Sequence, residues 1–93
     1  GGSNGMAQAE AEYKDFILFY PQLEEAAESQ EKICMIHYKQ MEKADRDNTH
    51  AMRAEEECKQ LLIQFPNSKF APRVAQLLRN IQEAIGEGEY RVG

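Results

Sequence analysis

The stretch AEEECKQLLIQFPNSKFAP, residues 54–72, limits what this chain can fold into more than any other. Ala54, Cys58, Leu61, Leu62 and Phe65 fall at the three-and-four spacing of one helical face. Pro66 then removes a backbone donor and biases Phe65 away from helical angles, so a helix must stop there. Asn67 and Ser68 can each bond a neighbouring amide, which suits a turn and the cap of a following helix. Phe70, Val74, Leu77, Leu78 and Ile81 form a second stripe of the same period. Two such helices on so short a turn bury both stripes only by folding back antiparallel.

The rest of the chain reads in the same terms. A helix is expected from Met6 to Tyr20, with Ala9, Tyr13, Phe16, Ile17 and Tyr20 inward. Leu18 and Phe19 widen its stripe, so it is expected to touch neighbours on two sides before Pro21 ends it. The second helix, Leu23 to Lys43, turns Ala26, Ala27, Ile33, Cys34, Met41 and either His37 or Tyr38 inward. Glu24, Glu25 and Glu28 favour the positive end of its dipole. ADRDNT, Ala44 to Thr49, has no periodicity and reads as a loop into a third helix, His50 to Phe65. The fourth helix is expected from Lys69 to Ile85, with Pro72 in its first turn and Gly86 and Gly88 closing it. Nothing reads as strand. The expected fold is all-α, with four helices and a truncated fifth.

An internal repeat ties these helices together. Ala9, Tyr13, Phe16 and Pro21 have the spacing of Ala54, Cys58, Leu61 and Pro66, at an offset of 45 (54 − 9). Tyr20-Pro21 and Phe65-Pro66 both pair an aromatic with the terminating proline. The Ala-to-Pro spacing resembles that of the second helix of a tetratricopeptide (TPR) repeat, whose usual period is ~34 residues. The surplus, about three helical turns, fits the long second helix and the ADRDNT loop.

Composition narrows the function classes. Ninety-three residues make one small domain, expected over 6–93, and GGSNG at Gly1–Gly5 looks like an expression leader. No apolar run approaches the ~20 residues of a membrane span. Sixteen acidic against eleven basic residues, a net charge of −5, disfavours a nucleic-acid partner through phosphate repulsion. Two cysteines are too few for a disulfide framework and leave the redox compartment open.

One family resembles this combination. LLIQFP followed by PNSKFAP is similar to the turn signature of TPR proteins of bacterial cell envelopes. DRDNTHAMRA, after an over-long helix, resembles the middle repeats of the outer-membrane assembly lipoproteins of the YfiO/BamD type. Glu89-Tyr90-Arg91-Val92-Gly93 is similar to the start of that family's next helix, so the resemblance covers about Ala7 to Gly93. Asn48 stands where the family often has Pro, and Gly93 where it often has Ala. The resemblance implies a non-catalytic, cofactor-free periplasmic scaffold, lipid-tethered to the outer membrane through an anchor outside this stretch. The implied partners are the periplasmic domains of the barrel-forming subunit and segments of unfolded outer-membrane proteins. The other readings are a cell-envelope TPR adaptor with a different partner and, from another class, a small metal-binding helical domain. The first would have the standard repeat length, and the second requires polar ligands on stripes that here are nearly all apolar.

Candidate sites follow from these readings. Asp45-Arg46-Asp47 is the matching motif: Asp47 can cap the third helix, while Arg46 pairs with a carboxylate or reaches a partner. Lys69, Arg73 and Arg79 form the best basic patch, a possible carboxylate-binding edge. His37, His50, Cys34 and Cys58 lack zinc-site spacing. Cys34 and Cys58 are each twelve residues from position 46, so they are expected side by side between the second and third helices, as buried, reduced thiols. Glu55, Glu56 and Glu57 span a wide arc and read as a solvated face. Met35, Met41 and Met52 read as core filler. With apolar edges open at both ends, the stretch is expected to self-associate and bind protein partners, without nucleic acid.

Overall fold

The computed structural model describes residues 2–43 and 49–89, which form four helices. They are α1 (Gly2–Phe19), α2 (Glu24–Lys43), α3 (Thr49–Gln64) and α4 (Ala71–Glu89), with no strand among the described residues. Each helix packs on the next, and α2 touches all three others. The truncated fifth helix expected from Glu89 lies outside the described residues, save that Glu89 itself ends α4.

The repeat is written into the backbone hydrogen bonds. At the first turn, Tyr20 N donates to Phe16 O (2.8 Å), Leu23 N to Tyr20 O (3.2 Å) and Ala26 N to Leu23 O (3.0 Å). At the second, Phe65 N donates to Leu61 O (2.7 Å), Ser68 N to Phe65 O (3.1 Å) and Ala71 N to Ser68 O (3.1 Å). Donor and acceptor are shifted by 45 residues in every pair (65 − 20, 68 − 23, 71 − 26). Each proline follows the last residue able to donate back into its helix, so the same three-bond turn results. Ser68 Oγ also accepts from Phe70 N at 3.2 Å, the expected cap ahead of α4. Pro72 lies in the first turn of α4, where a missing N–H is harmless.

The core has two parts joined at Phe65. The larger gathers Cys34, Ala54, Cys58, Leu61, Ala71, Val74 and Ile81, with Tyr38, Met41 and Leu77 against it. The smaller joins Ile17 of α1 to Ala26 and Ile33 of α2, with Tyr13 and Phe16 alongside. Both His37 and Tyr38 turn inward. Tyr20, expected inward, departs from expectation, whereas Leu18 and Phe19 lie on the apolar edge expected to stay open. Pro21 ends α1 at Phe19, so Tyr20 leaves the helical face and is 49% exposed, with Leu18 and Phe19 at 73% and 69%. Of the methionines read as core filler, Met52 is instead exposed.

Two further expectations are corrected. Cys34 and Cys58 do sit side by side, but as a disulfide joining α2 to α3. Their Cα atoms are 4.9 Å apart, inside the range a disulfide spans, and fully buried Ala54 belongs to the same cluster. Gly86 and Gly88 do not close α4, which runs on to Glu89 without a left-handed residue. No proline follows to force a stop, and a helical glycine carries only a modest propensity cost.

Two stability outcomes follow. Leu61→Ala, at a fully buried position, should cost ~2–5 kcal/mol in a urea melt, and Leu77→Ala, at a half-buried one, should cost less. Gly86→Ala should stabilise by about 0.5–1 kcal/mol, since a Cβ there meets nothing within 4 Å and the backbone is already helical.

Candidate functional site

The least apolar part of the interior lies where α1, α2 and α3 converge. Glu10 and Lys14 are one turn apart on α1, Arg53 and Glu57 one turn apart on α3, and Gln30 and His37 face both from α2. His37 Nε2 lies 3.0 Å from Glu10 Oε1. Lys14 Nζ donates to Glu57 Oε2 at 3.0 Å. Gln30 Nε2 donates to Glu57 Oε1 at 3.0 Å and to the Glu57 carbonyl at 2.8 Å. Arg53 Nη2 reaches Glu10 at 3.4 Å and, more loosely, Glu57 at 3.9 Å. Among the described residues the Cα atoms of α1 and α3 stay more than 8 Å apart, and these side chains bridge that gap.

Glu57 is buried, against the expectation of a solvated face for Glu55–Glu57. Its burial was legible: position 57 is three residues after Ala54 and four before Leu61, on the apolar stripe itself. Gln30 and His37 likewise fall on the stripe of Ala26, Ile33 and Cys34. Burial is the largest influence on the Glu57 carboxyl and pushes its pKa up. Hydrogen bonds from Gln30 and Lys14, with the charges of Lys14 and His37, outweigh it and hold the group below its ordinary value of 4.5.

Ligand atoms of Glu10, His37 and Glu57 lie within 4.8 Å of one another, close enough to hold a metal ion after modest contraction. Lys14 and Arg53 already neutralise both carboxylates, so the arrangement works as a buried ion network joining three helices.

The surface features lie at the turn end of the bundle. A groove of about 580 Å³ opens between the two proline turns, with Leu23, Ala27, Phe65 and Pro66 as its apolar wall and Asn67 and Lys69 at its polar side. Beside it Leu18, Phe19, Tyr20 and Leu23 make an exposed apolar crest. Ile63, the repeat counterpart of Leu18 (63 − 18 = 45), is 72% exposed although α2 and α4 both flank its helix. An outward apolar residue at this position is therefore a property of the repeat.

The basic patch is divided. Lys69 pairs with Glu24 at 3.7 Å and sits over the Phe70 ring, while Arg73 donates to buried Glu31 at 2.7 Å. Both cations thus tie α4 and its preceding turn to α2, and Arg79 stands exposed. Asp45, Arg46 and Asp47 lie outside the described residues.

A family model for YfiO, outer membrane lipoprotein, matches residues 3–93. The chain belongs to that family. No curated protein and no solved structure matches the chain significantly. Family membership accords with the all-helical, TPR-like hairpins. No described helix is long and apolar enough to cross a membrane.

Acid titration probes the ion network. A carboxyl whose folded pKa is lowered contributes stability that is fully present above its unfolded value and lost as pH falls through the folded one. Urea melts of the parent should therefore lose stability as pH drops below about 4.5, and Glu57→Gln should flatten part of that loss. A Glu57→Gln profile parallel to the parent's would show that Glu57 does not carry it.

Proposed function

We propose that this chain is part of a non-catalytic protein–protein scaffold at the periplasmic face of the outer membrane, serving the assembly of β-barrel proteins. The supporting observation is the crest of Leu18, Phe19, Tyr20 and Leu23, held in water beside the groove between the two turns. Contiguous exposed apolar side chains rimmed by polar groups mark docking surfaces. Membership of an outer membrane lipoprotein family supplies the setting. The buried Cys34–Cys58 disulfide fits an oxidising compartment such as the periplasm.

In this reading the periplasmic domains of the barrel-forming subunit, or extended segments of its unfolded substrates, lay apolar side chains against the crest. Asp45, Arg46 and Asp47, which join α2 to α3 in sequence, offer charged groups for a separate partner contact. Lys69 contributes at the polar side of the groove and Arg73 beside α2, each already paired with a carboxylate, Glu24 and Glu31. The same crest supports self-association at high concentration. Binding is therefore measured at dilutions where sedimentation shows a monomer.

Phe19→Glu removes an apolar contact and adds a charge at a position 69% exposed, so the fold should persist. Affinity for the purified periplasmic domains of the barrel-forming subunit should fall about thirtyfold, the loss of a ~2 kcal/mol contact. Circular dichroism and the melting curve should stay near the parent's. Unchanged affinity in both Phe19→Glu and Leu18→Glu would remove the crest from the interface.

A further inference from the structure

We infer that the Cys34–Cys58 bond is installed before the α2–α3 hairpin closes, by disulfide exchange with a dithiol-oxidising protein or oxidised glutathione, and that folding then seals it. Both cysteines have zero exposed surface. They belong to the larger apolar core with Ala54 and Leu61, and Tyr38, Met41 and Leu62 pack against that cluster. Disulfide exchange needs in-line approach of a third sulfur, and no such path exists through a packed apolar wall. The reaction must therefore precede closure or await reopening.

The junction is unlike its repeat counterparts. Tyr13 stands where Cys58 stands (58 − 45), and Arg79 where Cys34 stands (79 − 45). The cross-link is thus a local addition to the α2–α3 interface. That interface carries the long second helix and the connection between them. Closing a loop between residues 24 apart removes conformational freedom from the unfolded chain, and so favours the hairpin before the rest has packed.

The chemistry balances with the named donor. A thiolate of one cysteine attacks the donor disulfide, forming a mixed disulfide and expelling one donor thiolate. The second chain thiolate attacks the chain sulfur of that mixed disulfide, forming Cys34–Cys58 and expelling the other donor sulfur. The chain loses two protons and two electrons, and the donor is reduced to two thiols.

The test has two arms. In the first, the oxidised chain is held in excess dithiothreitol, quenched with an alkylating agent and weighed by mass spectrometry. Reduction in native buffer should run at least about a thousandfold slower than in denaturant, following the population of unfolded chain. Comparable rates would overturn the proposal. In the second, the reduced chain is refolded with oxidised glutathione present from the start, or added after circular dichroism shows that folding is complete. Early addition should give the bond quickly, and late addition only at the unfolding rate. A reduced chain that shows no helical fold supports the same order, since folding then waits for the bond. A reduced chain that folds and is afterwards oxidised as fast as the unfolded one overturns it.

Discussion

The deletion of one backbone donor, twice and 45 residues apart, is the constraint on which the rest of this structure depends. Pro21 and Pro66 each follow an aromatic residue whose own amide still closes the last helical bond. The chain has no further donor at that level, so it leaves the helix, bonds across the turn and starts the next helix at a fixed register. Because both turns are built from the same bonds, α1 meets α2 as α3 meets α4. Phe65, at the second turn, then reaches both parts of the core. Local covalent chemistry has thereby set a tertiary arrangement.

Much of this could be read from residue spacing. The stripes of α3 and α4 place Ala54, Cys58, Leu61, Val74 and Ile81 where the structure buries them, and the turn bonds reproduce the repeat pair by pair. What resisted reading was of two kinds. Side-chain polarity argued against burial for Glu57, although its position on the stripe argued for it; the position won because Gln30 and Lys14 supply partners from other helices. Such partners cannot be known from one helix alone. The disulfide belongs to the other kind. Spacing places Cys34 and Cys58 level with each other, but whether neighbouring thiols meet depends on interhelical distance, which the spacing along each helix does not give.

The candidate surface was half legible. Leu18 and Phe19 stood out as a widening of the α1 stripe, which reads equally as a second buried contact. Ile63 separates the two meanings, because its helix is flanked on both sides by the neighbours the fold provides and the residue is still in water. A basic edge at Lys69 and Arg73 was legible as composition, but its charges face carboxylates of α2 that are remote in sequence.

Polarity inside and apolarity outside are two sides of one arrangement. Apolar packing is non-directional and tolerates sliding of one helix over another, whereas a buried network of hydrogen-bonded charges is satisfied in few geometries. Glu10, Lys14, Gln30, His37, Arg53 and Glu57 place that demand between two helices whose backbones do not touch. Shifting α1 along α2 would strand a buried carboxylate, at a cost above that of losing an apolar contact. Polar groups thus share with Phe65 in holding the angle between α1 and α3. Leu18 and Phe19, relieved of any part in holding it, can remain in water at the turn end. A docking surface needs that combination. Its apolar groups must be available, and the helix presenting them must not move when they are taken up.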